Sequence, residues 1–185
     1  MRRYIIISTL FVSILFIGSC KKDEIPPEYH LICYINDTLR TFNFSPIAGV
    51  HRFNGTDFSG ISILGFGEAS QDMNSPSLEI RVENFHNKKI VPGIYADTSS
   101  IFQMYAQYHA PKSNPSHVNC GTRMQADARA VNYKIQNGLT VVFTRVSKTA
   151  MQGTFSGDFF YQAFGYGFEK PVRIRNGSFY VQVRE

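Results

Sequence analysis

The chain reads as an all-β protein, an antiparallel β-sandwich of about nine or ten strands, with an up-and-down barrel as the alternative way of closing the sheet. Three observations predict this. Apolar residues alternate with period two over most of the sequence, Asn-Gly pairs punctuate the apolar runs, and no window of eleven or more residues carries a convincing 3.6-residue period.

The elements follow in order. His30–Ile35 and Thr38–Phe44 form the first predicted hairpin, turning at Asn36-Asp37. Asn54-Gly55, Asn137-Gly138 and Asn176-Gly177 suit type I′ turns, because both central positions of such a turn need positive φ. Ile61–Phe66 is a strand. In the next one Leu78, Ile80 and Val82 share one face while Glu79, Arg81 and Glu83 share the other, the mark of a half-buried strand. Ile101–Tyr108 follows, with Gln103, Tyr105 and Gln107 on a common face. Ala110–Gly121, holding Pro111 and Pro115, is the longest irregular stretch, and long loops in compact domains often carry function. Met124–Val131 comes nearest to a helix, a turn or two at most. Arg129–Ile135 is read as a strand that pairs across Asn137-Gly138 with the alternating Leu139, Val141 and Phe143. Phe155–Tyr161 follows, and Val172–Arg175 and Phe179–Val183 close the set as a hairpin about Asn176-Gly177.

Ahead of these elements stand Arg2-Arg3, the apolar stretch Tyr4 to Ile17, and then Gly18-Ser19-Cys20 followed at once by Lys21-Lys22-Asp23-Glu24. The apolar run is shorter than the roughly 20 residues a membrane-spanning helix needs, so it reads as a secretory signal. The expected organisation is a signal over 1–19, a tether over 20–28 containing Pro26-Pro27, and a single β-sandwich domain over 29–185.

Ile17-Gly18-Ser19-Cys20 resembles the lipobox of bacterial lipoproteins. That resemblance implies that Cys20 is the first residue of the mature protein, that its thiol carries palmitate-type acyl chains, and that the chain is anchored in the outer membrane. Several chains hold a protein stably where one holds only marginally. Lys22-Asp23-Glu24 is similar to the export signal of Bacteroidota surface lipoproteins, which implies exposure at the cell surface. Val91-Pro92-Gly93-Ile94-Tyr95, Gln152-Gly153-Thr154-Phe155-Ser156 and Arg175-Asn176-Gly177-Ser178-Phe179 resemble the turn-and-aromatic punctuation of single-domain lipoproteins of that group. The chain departs from them in lacking tryptophan, which such domains often place in the first hairpin. This resemblance implies fold and location, and no activity.

Net charge over the chain is +5, and removing residues 1–19 takes away Arg2 and Arg3 but no acid, leaving +3. The basic residues are scattered rather than striped with aromatics, so nucleic acid is not an expected partner. With Cys20 lipidated, Cys33 and Cys120 remain in an oxidising compartment, either as a disulfide pinning the long loop to the sheet or as two separate buried thiols.

No catalytic signature is present. In Gly153-Thr154-Phe155-Ser156-Gly157 the serine falls one place late for a nucleophile elbow, and the alternation continues through it as a strand. Asp127 and Asp158 are the acids nearest apolar segments, without a partner carboxylate marked by the sequence. His109, His117 and Cys120 lie in one region but supply only one tight ligand pair, so neither a metal nor another cofactor is expected.

Two constellations suggest ligand binding. The first is Tyr105 and Gln107, with Gln103, on one strand face leading to His109, since phenol and amide groups can read hydroxyls; its plainer alternative is a solvated sheet face. The second is Tyr166 within Phe164-Gly165-Tyr166-Gly167-Phe168, a flat ring stripe whose plainer alternative is packing. The expected function is therefore a non-enzymatic, membrane-anchored module that binds a glycan, peptide or partner protein. The alternatives are a structural lipoprotein of a membrane assembly and a hydrolase with dispersed catalytic residues.

Overall fold

The computed structural model describes residues 28–53, 56–67, 75–84, 89–110, 117–161, 168 and 170–184. The signal 1–19, Cys20 and most of its tether, Asn54-Gly55, residues 111–116 and Tyr166 lie outside the described residues. Among the described residues the alternation of the sequence is realised as eleven strands and one helix. In chain order these are β1 (His30–Ile35), β2 (Thr38–Thr41), β3 (Phe44–Phe53), β4 (Thr56–Phe66), β5 (Ser77–Asn84), β6 (Gly93–Ala96), β7 (Phe102–His109), β8 (His117–Gly121), α1 (Thr122–Ala130), β9 (Thr140–Val146), β10 (Ala150–Tyr161) and β11 (Val172–Arg184).

All the strands belong to one sheet in the order β2-β1-β11-β3-β4-β5-β7-β8-β10-β9-β6, and β10 also pairs with β11, which closes a ring. This is a sandwich-like closure in which β11-β3-β4-β5-β7-β8-β10 form the ring, and β1-β2 and β9-β6 extend from β11 and β10. The pairings are antiparallel except that Gln182–Arg184 of β11 run parallel to Ile47–Gly49 of β3. Within this closure lies one core, in which Leu31, Ile61, Ile63, Leu78, Ile80, Leu139, Phe143, Phe159 and Phe179 are almost wholly excluded from solvent. Fully burying side chains of this size contributes about 1.5–3 kcal/mol each before the entropy of ordering them is set against it. Aromatic rings thread this core from Phe102 through Tyr95 and Phe143 to Phe179, with centroid separations of 4.7, 5.6 and 5.6 Å and edge-on geometries.

Local chemistry explains several elements directly. Asn36 and Asp37 take positive φ (46° and 64°) as the β1–β2 turn requires, and Asn36 exchanges hydrogen bonds with the Arg173 backbone of β11. The Val91-Pro92-Gly93-Ile94-Tyr95 motif is structural: the Tyr95 hydroxyl accepts from the Val91 N–H at 3.0 Å and donates to its carbonyl at 2.7 Å, fixing the approach to β6.

Four expectations need correction. Arg129–Ile135 is not a strand: α1 runs to Ala130, and Asn132, with φ of 56°, helps turn the chain away. Asn137-Gly138 is therefore not a hairpin turn, having no strand before it. Asn176-Gly177 does not reverse the chain either. It is a β-bulge inside β11, with Asn176 at φ 50° and one extra β11 residue between Ile32↔Ser178 and Tyr34↔Arg175 on one side and between Phe155↔Gly177 and Gly157↔Ile174 on the other. Both halves of β11 are held on each side by strands already in place, so the same left-handed residue bends the strand instead of ending it. The stretch expected as loop up to Gly121 ends in β8, which pairs with β7 from Tyr105↔Gly121 to His109↔His117.

The cysteines take the second of their two expected forms. Cys33 and Cys120 are free thiols, each buried in the core. Cys33 lies on β1 and Cys120 on β8, with β11 and β10 between them in the sheet.

Burial pushes the Cys33 thiol from its ordinary 9.0 up to about 12 and raises Cys120 in the same direction. Between those values the unfolded chain releases thiol protons that the folded chain retains. Stability is thus unaffected by these groups below about pH 9 and declines as pH rises from there toward 12. Urea unfolding between pH 8 and 11 is expected to show this decline, with a shallower slope in Cys33→Ala. A thiol reagent is expected to reach neither cysteine in the native protein and both after denaturation, whereas a disulfide would yield neither.

Candidate functional site

Period two places the side chains of β5 and β7 alternately in the core and on the outer face of the sheet. Leu78, Ile80 and Val82 face inward with Met104, Ala106 and Tyr108, so Glu79, Arg81 and Glu83 share the outer face with Gln103, Tyr105 and Gln107. Register then sets the neighbours: Glu83 stands opposite Gln103, Arg81 opposite Tyr105, and Glu79 opposite Gln107. On the far side of β7, Gln107 faces Asn119 and Tyr105 faces Gly121.

Gly121 shapes the end of β8. Its φ is +134°, and a Cβ there would lie 2.1 Å from the Met104 carbonyl oxygen, so no other residue fits without moving the strand. From this point the chain enters α1. Thr122 fastens the helix start to β7, its hydroxyl accepting from the Met104 N–H at 3.0 Å and donating to the Phe102 carbonyl at 3.4 Å. The helix then stands beside the sheet and walls a groove of about 400 Å³. Its lining includes Glu79, Arg81, Glu83, Gln103, Tyr105 and Asn119 from the sheet and Arg123 and Met124 from α1. That volume lies within the range of small-ligand sites.

Tyr105 occupies the middle of the groove. Its hydroxyl donates to Asn119 Oδ1 at 3.2 Å. Burial raises its ionisation above the ordinary tyrosine value; the Glu79 carboxylate adds to the rise and the Arg81 guanidinium opposes it. The phenol therefore stays protonated, and a donor, throughout the neutral range. Beside it Arg81 Nη2 lies 2.9 Å from Glu79 Oε1 and Arg81 Nη1 lies 3.9 Å from Glu83 Oε1. Ser62 on β4 donates to Glu79 at 3.0 Å and accepts from Arg81 Nε at 3.3 Å. Two carboxylates and two guanidinium groups give the lining a formal charge of zero.

Beneath α1 a buried polar cluster fixes the helix. The Asp97 carboxylate accepts from the Leu139 N–H at 2.7 Å, from Gln125 Nε2 at 3.0 Å and from the Cys120 thiol at 4.0 Å. Burial pushes the Asp97 carboxyl up from its ordinary value, and the Leu139 and Gln125 donors hold it back. Asp158, also buried, accepts from Arg175 and, at 2.9 Å, from the Asn137 amide. Met124, Ala128, Ile135 and Phe160 pack as a second apolar cluster under the helix.

Of the residues singled out from sequence, Tyr105 lines the groove and Gln107 adjoins it on the same face. His109 ends β7, half-buried, opposite Ser77 and outside the groove. Tyr166 lies outside the described residues; Phe168, the last ring of its stripe, stacks on Tyr133 at 5.1 Å and meets Phe160 edge-on, which is packing. Cys120 belongs to the Asp97 cluster, Cys33 to the core, and Asp158 to an ion pair, while Asp127 is exposed on α1. Among the described residues no three His, Cys, Asp or Glu side chains are placed to hold a metal ion. Sequence reasoning missed Glu79, Arg81, Glu83, Asn119 and Arg123 as site residues. The alternation of β5 marked the first three as outward-facing, but only its register against β7 brings them to Tyr105. No family model, no curated protein and no solved structure matches the chain.

The seat of α1 gives a direct test. A Cβ on Gly138 would stand 2.4 Å from Asp97 Oδ1 and 2.6 Å from Gln125 Nε2. Gly138→Ala is expected to separate that pair and lower the unfolding free energy by about 1–3 kcal/mol, read by urea denaturation.

Proposed function

We propose that this protein is an outer-membrane lipoprotein, anchored through acyl chains on Cys20 at the cell surface, whose β-sandwich binds a glycan without cleaving it. The single observation that carries the binding is the groove over β5, β7 and β8, where a half-buried tyrosine stands among two amides, two carboxylates and two guanidinium groups.

Hydroxyl-rich ligands are both donors and acceptors at every ring position, so they favour a site offering both kinds of group. Gln103 is an exposed amide, and the Glu79 and Glu83 carboxylates are acceptors on the same face. The Tyr105 ring supplies apolar surface for a sugar face. An extended peptide would instead favour an unpaired strand edge, and β5 and β7 are both paired on each side. The anchor rests on the lipobox resemblance of Ile17–Cys20 and the charged residues after it.

Titration of a soluble-oligosaccharide panel into the protein is the test of binding. At least one saccharide is expected to bind in the micromolar to millimolar range, and Tyr105→Ala is expected to weaken it tenfold or more, about 1.4 kcal/mol, with the fold unchanged by circular dichroism. Binding that survives Tyr105→Ala unaltered would move the site elsewhere. Mass spectrometry of the native protein is expected to find a chain beginning at an acylated Cys20; unprocessed material with a bare thiol would refute the anchor.

A further inference from the structure

The groove is lined by the Arg81 guanidinium, which invites the expectation of an acidic ligand, yet the geometry points the other way. We infer that Glu79 and Glu83 are specificity residues that occupy Arg81 and restrict the groove to uncharged saccharides. This rests on the saccharide reading given above and adds the class of sugar.

Arg81 hydrogen-bonds within the sheet through two of its nitrogens, and the third faces a carboxylate at longer range. Nη2 binds Glu79 Oε1 at 2.9 Å, Nε donates to Ser62 Oγ at 3.3 Å, and Nη1 faces Glu83 Oε1 at 3.9 Å. Glu79 is itself held in place, since the same oxygen also accepts from the Ser62 hydroxyl at 3.0 Å. The planar guanidinium, with its fixed fork of donors, thereby directs two of its nitrogens at Glu79 and Ser62 of the sheet.

Period two adds to this effect. Glu79 and Glu83 stand two residues to either side of Arg81 on the same face, so a ligand carboxylate approaching the arginine meets one negative side chain on each flank. Their side chains are only 26 % and 22 % exposed, against 42 % for Arg81, so water screens them incompletely. The remaining cation, Arg123, is exposed on α1, where a single ion pair contributes little. An uncharged sugar meets no such opposition. Glu83 and Gln103 are direct cross-strand neighbours, an acceptor beside an amide.

The experiment measures binding of two sets of hexasaccharides to the full chain by calorimetry: neutral cello-, xylo-, manno- and malto-hexaose, and acidic hexagalacturonate and hyaluronan hexasaccharide. The protein is expected to bind a neutral member at least tenfold more tightly than either acidic one. Because the lining is formally neutral, that affinity is expected to change less than about twofold between 50 and 300 mM salt. Glu79→Gln/Glu83→Gln is expected to gain tenfold or more for an acidic hexasaccharide, with a salt dependence the parent lacks. Glu83→Gln alone leaves the Ser62–Glu79–Arg81 bonds intact and is expected to move in the same direction by a smaller factor.

Preference of the parent for an acidic hexasaccharide would overturn this inference and leave the saccharide reading standing. Folded variants that gain nothing for the acidic set would overturn it as well. If the parent binds neither set, the saccharide reading falls and this inference with it.

Discussion

β10 and β11 pair from Ala150↔Gln182 to Phe159↔Val172, and each then changes neighbour along its other edge. On β10, Met151–Ser156 face β9 while Phe160 and Tyr161 face β8. On β11, residues up to Tyr180 face β1 while Gln182–Arg184 face β3. These two strands therefore carry the β1-β2 and β9-β6 extensions as well as the ring, and their mutual ladder closes it. The bulge at Asn176-Gly177 belongs to this constraint, because an extra residue bends a strand and increases its twist. Ring closure leaves β2 and β6 as the outer strands of the sheet. Each is only four residues long, which limits the edge presented to another chain.

The position of the groove follows from the same ladder. β8 is short and is held between β7 and the last residues of β10, so its direction is set before α1 begins. Gly121 then lets the chain leave the sheet, and the helix it enters is neither long nor strongly amphipathic. Its place is decided by what lies under it: the Asp97 carboxylate, which receives Gln125 of the helix and Leu139 at the start of β9, and the apolar cluster around Phe160. A buried carboxylate is unfavourable unless its hydrogen bonds are made, and three donors converge on this one. The polar cluster thus favours one seat for α1, and that seat fixes the width of the groove.

Much of this was legible in the residues themselves, for reasons that differ between elements. β1, its Asn36-Asp37 turn, β5 and β7 are specified locally, because alternation and left-handed turn residues act over a few positions. Asn176-Gly177 was not, since a hairpin and a bulge use the same backbone conformation and differ only in whether partners continue on both sides. β8 and β6 are brief and lie among turn residues, so long-range pairing creates them. Arg129–Ile135 combines weak helix and weak strand preference, and the packing of Met124 and Ala128 on Phe160 settled it as the end of a helix and a turn. In the site, Tyr105 and Gln107 could be placed on one face from spacing alone. Glu79, Arg81 and Glu83 could be placed on a face too, but which strand lay beside them was a fact of register.

The rings of Tyr95, Phe143, Phe155 and Phe179 interlock in the core, as a small closed sheet requires if it is to avoid voids. A flat outer sheet face gives little concavity of its own, so a helix standing on it is what converts the exposed half of an alternating pattern into a site. The outer face must remain polar for solubility, and the groove therefore acquires charged residues whether or not a ligand needs their charge. Pairing Arg81 with Glu79 and Ser62 resolves that conflict: the guanidinium satisfies the sheet's own carboxylate, while Gln103 beside it stays exposed on the same face.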